Sequence, residues 1–283
     1  MTQSLFPKIT DIVPSFRLDN RLAIVTGGSG GLATVISKAL LAQGASVALV
    51  DMIQERVDVS AEELAEWGSF NKIPLTTPEG VNKISSWQCN VADDAEVTKV
   101  FNEVNVKHEA VADLLIHTAG FCQNIDALDY PAKNAQNLVN VNLMGSLYCS
   151  QAIARNLVAV NKPGSLILIG SMSGVIVNDP QPQVAYNMSK AGVIHLVKSL
   201  ACEWAKHGIR VNALSPGYIA TPLTKQVLSG NDELKQTWES KVPMHRMADP
   251  KEFVGTILYL ANSEASSYTT GENIMVDGGY QCW

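Results

Sequence analysis

Short apolar runs recur along this chain, each followed by a longer segment of helical pattern. They are LAIVTG (22–27), ASVALVD (45–51), ISSWQCNV (84–91), VADLLIHTAG (111–120), GSLILIGS (164–171), IRVNALSPG (209–217) and NIMVDGG (273–279). Runs so continuously apolar suit strands covered on both faces, because a strand with one wet face alternates polar and apolar residues. Helices between successive strands return the chain to the same edge of the sheet, which makes neighbouring strands parallel. The expected fold class is α/β: a single doubly wound domain, with a mostly parallel sheet flanked by helices.

The connecting segments follow helix rules. GLATVISKALLAQG (31–44) and ERVDVSAEELAEWG (55–68) have helical patterning, and Asp93 is placed to cap a helix running to about Lys107. A long helix is expected over 134–160, another over 184–208 closed by Gly208, and one near 250–261. Pro74, Pro78 and Gly80 mark 69–83 as a loop. The organisation expected is an N-terminal arm (1–20) and one domain (21–283) with a lid insertion at about 218–247.

Composition excludes several classes. The 283 residues carry a net charge of -6 and a pI near 5.4, and no basic run occurs, so nucleic acid is not an expected partner. No apolar run approaches the roughly 18 residues of a membrane span, and the start lacks the apolar stretch of a secretory leader. The five cysteines, Cys89, Cys122, Cys149, Cys202 and Cys282, are odd in number and widely spaced. They read as reduced, buried thiols in a cytoplasmic protein. No His/Cys/Asp cluster has metal-ligand spacing, so no metal is expected.

TGGSGGLA (26–33) lies between the first strand and the first helix. In an open α/β sheet this turn receives a pyrophosphate on helix N-terminal N–H groups, and glycine lets the backbone come close. Such turns also occur without a ligand, so the acidic residue ending the second strand matters. Asp51 stands where a carboxylate accepts from the adenosine ribose hydroxyls. It would repel a 2′-phosphate, and no Lys or Arg lies in 26–37 to attract one. The cofactor expected in this Rossmann-type domain is NAD rather than NADP.

Of the seven tyrosines only Tyr186, in AYNMSKAG, has a lysine four residues on. On a helix Tyr186 and Lys190 share a face, so a cation could lower the tyrosine pKa and make it a usable base. The surrounding signals fall in order: the glycine turn, Asp51, TAG (118–120), Asn142 in VNLMG, Ser171 in IGSMSG, YNMSK, and SPGYIAT (215–221). Together they resemble the short-chain dehydrogenase/reductase family over about residues 20–280. Within it the chain is similar to yeast polyol dehydrogenases, through stretches such as VNDPQPQ, SLACEWAK and the VDGGYQCW ending.

The resemblance implies a catalytic tetrad of Asn142, Ser171, Tyr186 and Lys190, with Asn142 anchoring a water that links Lys190 to solvent. Ser173 fits the family's usual serine–tyrosine spacing, but the strand-end context favours Ser171, leaving Ser173 to line the substrate pocket. It further implies dinucleotide contacts from Gly27, Ser29, Gly31, Leu32, Asp51, Asn90, Val91, Thr118, Ala119, Gly120, Tyr186 and Lys190. Pro216, Gly217, Ile219 and Thr221 would close over the nicotinamide. Two positions depart from the family: Thr118 stands for an asparagine, and Asn90 for an acid.

The implied reaction is oxidation of a pentitol's secondary hydroxyl to a ketose, D-arabinitol to D-ribulose. An NADPH-dependent ketose or carbonyl reductase is the rival enzyme, and a non-catalytic dinucleotide-binding protein the rival of another class. The expected partners are a small sugar alcohol or ketose and further copies of the chain, as a homotetramer or homodimer. The 184–208 helix is apolar around much of its circumference, which suits deep burial or a subunit interface. His195 is out of phase with Tyr186 and should face away from it. His117 should end a strand, and His108, His207 and His245 read as surface residues.

Overall fold

The computed structural model describes residues 13–282. Seven strands form one sheet: β1 (Leu22–Thr26), β2 (Ser46–Asp51), β3 (Ile84–Gln88), β4 (Leu114–His117), β5 (Gly164–Ile169), β6 (Ile209–Pro216) and β7 (Asn273–Val276). All neighbouring pairs are parallel, in the order β3-β2-β1-β4-β5-β6-β7. β1 is buried throughout, and its side chains serve both faces in alternation. Leu22 and Ile24 join the layer beneath α3 (Asp94–Lys107), α5 (Gly145–Ala159) and α6 (Val184–Trp204). Ala23 and Val25 join the layer under α1 (Gly31–Ala42), α2 (Gln54–Phe70) and α9 (Val254–Ala261). The chain therefore builds outward in one direction from β1 and in the other from β4. Between the carboxyl ends of these two strands a crevice opens, the usual ligand position in such sheets.

Local chemistry sets the element ends. Asp93 caps α3, accepting from the Glu96 N–H at 3.0 Å. A single 3₁₀ turn (Ala205–His207) follows α6, and Gly208 then turns the chain at φ 71°, a left-handed conformation suited to glycine. A capping box between Asp249 and Glu252 starts the turn leading into α9. Asn90 ends the third strand earlier than expected, because its amide oxygen accepts from the Ala92 N–H and turns the chain.

Three expectations change. The helix over 134–160 is interrupted: α4 (Ala132–Val139) passes into a π-turn (Asn140–Met144) before α5 begins. α6, expected to be buried or to form an interface, keeps one exposed strip that includes Met188 and His195. Cys122, Cys202 and Cys282 are exposed, and only Cys89 and Cys149 are buried; all five are free thiols. His108 is buried rather than on the surface, since α3 ends against β3 and its Nε2 meets the Ser85 hydroxyl at 2.7 Å. His207 and His245 are exposed. Residues 1–12 of the expected arm lie outside the described residues. The remainder packs down: Leu18 is buried and its N–H donates to the Gln43 carbonyl at 2.7 Å. The 218–247 segment holds α7 (Pro222–Leu228) and α8 (Asp232–Ser240). Its Trp238 stacks on Tyr218 with ring centroids 4.5 Å apart.

Candidate active site

The crevice at the carboxyl end of β1 is an open cleft of about 1320 Å³. Eleven of the residues expected to touch a dinucleotide line it: Gly27, Ser29, Gly31, Leu32, Asp51, Asn90, Val91, Thr118, Ala119, Gly120 and Thr221. Gly27 has φ 65°, and a Cβ there would stand 2.9 Å from the Ala119 backbone. Only glycine lets the turn close onto the strand beside it. α1 starts from Gly30 with no side-chain cap and no acidic residue in its first turn. Its N-terminal N–H groups are therefore free to receive an anion, and this cradle fits a pyrophosphate.

Asp51 turns back over the glycine turn. Oδ2 accepts from the Ser29 N–H at 3.0 Å and from the Ser29 hydroxyl at 2.7 Å, and Oδ1 accepts from the Met52 N–H at 2.7 Å. Three of about four acceptor positions on a carboxylate are thus in use. Thr118, standing where an asparagine was the pattern, donates its hydroxyl to the Thr26 carbonyl at 2.7 Å and ties β4 to β1. Pro216 ends β6. Gly217 runs against Asp277, where a Cβ would come within 2.7 Å of the neighbouring Cα. Ile219 packs its side chain into the apolar layer of α1 and α9.

Beside Gly120 in the cleft wall, where a Cβ would stand 3.1 Å from Asn142 Oδ1 and 3.6 Å from Lys190 Nζ, the tetrad residues come from three segments. Ser171 follows β5; its Oγ accepts from the Ser173 N–H at 3.1 Å, and its side chain lies close enough to Tyr186 to pull the tyrosine pKa down. The Ser173 hydroxyl donates to Asn178 Oδ1 at 3.0 Å. Tyr186 and Lys190 lie on successive turns of α6, with the ammonium 5.7 Å from the centre of the tyrosine ring. Lys190 donates to the Ile169 carbonyl at 2.7 Å, and burial lowers its pKa to about 8. Asn142 lies inside the π-turn and is buried. Its side chain accepts from the Phe121 N–H at 3.0 Å and donates to the Phe121 carbonyl at 2.9 Å and to the Ser189 hydroxyl at 3.1 Å. Its carbonyl accepts from the Ser146 hydroxyl at 2.6 Å.

The expected lowering of the tyrosine pKa is not what this geometry produces. Burial pushes Tyr186 up to about 12, opposed by the hydrogen bond from Ser171. The reason is that the Lys190 ammonium points at a backbone carbonyl instead of the phenol oxygen, so desolvation prevails.

Sequence reasoning missed three residues near the site. Arg56 on α2 and Lys225 on α7 line the dinucleotide cleft. Helical spacing from Thr221 could have pointed to Lys225; nothing marks Arg56 beyond its nearness in sequence to Asp51. His117 does end β4, but it is buried beneath the site, with Nδ1 2.8 Å from the Thr26 hydroxyl. No spacing rule marks it. His195 is exposed, as its phase on the helix requires. Among the described residues no group of three His, Cys, Asp or Glu is placed to hold a metal.

A family model described as enoyl-(acyl carrier protein) reductase matches residues 27–281. A protein named D-arabinitol 2-dehydrogenase (ribulose-forming), from Scheffersomyces stipitis, is 61% identical over 273 residues, covering 96% of this chain and 98% of the relative. The chain belongs to the short-chain dehydrogenase/reductase family. A family member named NADH-dependent L-xylulose reductase, from Ambrosiozyma monospora, is 52% identical over 276 residues, covering 97% of this chain and all of the relative. The crystal structure of gox2181 matches with a TM-score of 0.86 at 36% identity, covering 95% of this chain and 98% of that one. Family membership accounts for the single parallel sheet and for the glycine turn at its first strand. The differences from the family pattern, Thr118 and Asn90, both make hydrogen bonds within the chain.

Proposed function

We propose that this protein is a polyol dehydrogenase that oxidises a secondary hydroxyl of a pentitol to a ketose, D-arabinitol to D-ribulose, with Tyr186 as the general base and NAD as the oxidant. The observation carrying this reading is that Lys190, one turn from Tyr186 on α6, and Asn142 both crowd Gly120 on the wall of the cleft, where a Cβ would stand 3.6 Å from the Lys190 Nζ and 3.1 Å from the Asn142 Oδ1. Whole-length identity to relatives named for D-arabinitol supports the substrate class.

Oxidising a secondary alcohol removes a hydride from carbon and a proton from oxygen. A bound nicotinamide dinucleotide supplies the hydride acceptor. The chain's own residues handle the proton: the substrate hydroxyl sits between the Ser171 and Tyr186 oxygens, and the tyrosine oxygen takes its proton. For this Tyr186 must first lose its own proton to solvent, and the Lys190 ammonium, one turn away, stabilises the phenolate once it swings from the Ile169 carbonyl toward the phenol oxygen. Asn142 holds the loop after β4 against α6 and so keeps the floor of the site in place.

Asp51 supports NAD over NADP, because its anion repels a phosphate on the ribose. To accept both ribose hydroxyls it must release the Ser29 hydroxyl. Arg56 favours the opposite choice, since it lines the same cleft. The proposal extends to a homotetramer or homodimer, and to a cytoplasmic location. No helix among the described residues is long and apolar enough to cross a membrane.

The test is reduction of NAD and of NADP by purified protein, with arabinitol, xylitol, ribitol, sorbitol and mannitol, and identification of the ketose formed. D-Arabinitol giving ribulose with NAD is the expected result. A clear preference for NADP would overturn the reading of Asp51, and failure with every polyol would favour a binding protein. The L-xylulose reductase relative favours a second reading, ketose reduction by the same groups run in reverse; NADH oxidation with xylulose and ribulose separates the two.

A further inference from the structure

The dinucleotide cleft is poor in cations. Its charged lining residues are Asp51, Glu55, Glu63 and Asp249 against Arg56 and Lys225. Residues 26–37 contain no Lys or Arg, so at the glycine turn itself only the N–H groups of α1 offer positive charge. Arg56 lies on α2, beyond Asp51 and toward the adenosine end. Lys225 lies on α7, and α7 begins directly against the glycine turn. A Cβ built on Gly31 would stand 3.0 Å from Pro222 Cδ and 3.4 Å from Thr221 Cβ.

Backbone bonds fix Lys225 relative to that contact. Its N–H donates to the Thr221 carbonyl at 2.9 Å, and the Thr224 N–H donates to the Thr221 hydroxyl at 3.2 Å. Lys225 thus follows Thr221 by one helical turn, is exposed, and makes no ion pair among the described residues. Lys225 is thus a long ammonium side chain with no ion pair among the described residues, on the element that packs against the anion cradle.

Resting on the dinucleotide reading above, we propose that Lys225 binds the pyrophosphate of the dinucleotide and thereby fastens α7 over the glycine turn. The interaction joins the 218–247 segment to the cofactor through charge, whereas the tetrad joins the cofactor site to the substrate through proton transfer. Truncation at an exposed position leaves the core untouched, so the effect should appear in binding alone.

The test is calorimetric titration of the wild-type chain, K225A and K225R with NADH and ADP, with adenosine followed by competition, each at low and high salt. In K225A both NADH and ADP should weaken about tenfold, by the usual worth of a charge-assisted bond at a wet site. The loss should shrink at high salt, adenosine should bind unchanged, and K225R should bind nearly as the wild type does. ADP binding unaltered in K225A, or adenosine weakened as much as ADP, would overturn the assignment while leaving the dinucleotide reading standing. A wild-type chain that binds neither NADH nor ADP would overturn both.

Discussion

A tyrosine with its pKa near 12 is protonated throughout the neutral range. Tyr186 is therefore poised to give a proton, and oxidation must first draw one from it. Replacing it with phenylalanine removes both roles while keeping the ring. Turnover of Tyr186→Phe should fall about 10²–10⁴-fold, the usual range for a lost acid–base group, while the NADH dissociation constant, followed by fluorescence, stays unchanged. Lys190 shifts the other way, from 10.5 to about 8. Between about pH 8 and 10.5 the unfolded chain binds the extra proton, so this lysine makes stability rise with pH, by about 3 kcal/mol in all. Tyr186 has the opposite sign. Its folded pKa exceeds the unfolded value near 10, so its contribution is lost as pH rises from 10 toward 12. Urea midpoints of Lys190→Met against wild type, measured from pH 7.5 to 10.5 (about the span of the shift), should show the rise only in the wild type. At this scale the residue types and their order could be read from the sequence. The direction of the Lys190 ammonium could not, because it depends on the Ile169 carbonyl at the end of another strand.

Among the elements, the π-turn at Asn140–Met144 is the one that no periodicity announced. A π-turn inserts one residue into an otherwise continuous helical pattern, so a window over 134–160 still reads as a single helix. Its consequence is the placement of Asn142, whose amide reaches the Phe121 backbone on one side and Ser189 on the other. In Asn142→Ala those groups lose their partner. Stability should drop by about 1–3 kcal/mol in urea unfolding, with turnover falling as well. Strand and helix order was legible, because buried parallel strands are apolar without interruption. The stacking of α8 on the loop after β6 was not, since two aromatic residues twenty positions apart in a polar segment carry no common period. Trp238→Ala removes that stack, worth about 0.5–1.5 kcal/mol. It should raise the KM for the polyol by up to about tenfold and leave the NADH dissociation constant unchanged.

Across the whole molecule, two buried histidines set a limit on the acid side. Burial lowers His117 to about 3 and His108 to about 4. The unfolded chain takes up both protons near pH 6.5, so the folded state loses stability as pH falls from 6.5 toward 4. Urea midpoints over that range should fall steeply in the wild type and less steeply in His117→Asn, at about 1.4 kcal/mol for each pKa unit removed. The sequence places His117 at a strand end, but its burial belongs to the packed layer of α5 and α6 against the sheet. The sheet also has a kinetic side. β1 sits between β2 and β4, and its partner residues in β4 come about ninety positions later, as in Ala23 with Leu114. The central pairing therefore forms only after a long stretch of chain has been brought back, which costs loop entropy before any contact rewards it. Refolding from urea should accordingly be slow for a chain of this length. The glycine turn cannot close onto Ala119 until that pairing exists, so a dinucleotide stabilises the finished fold and has little to grip in the chain still on its way there.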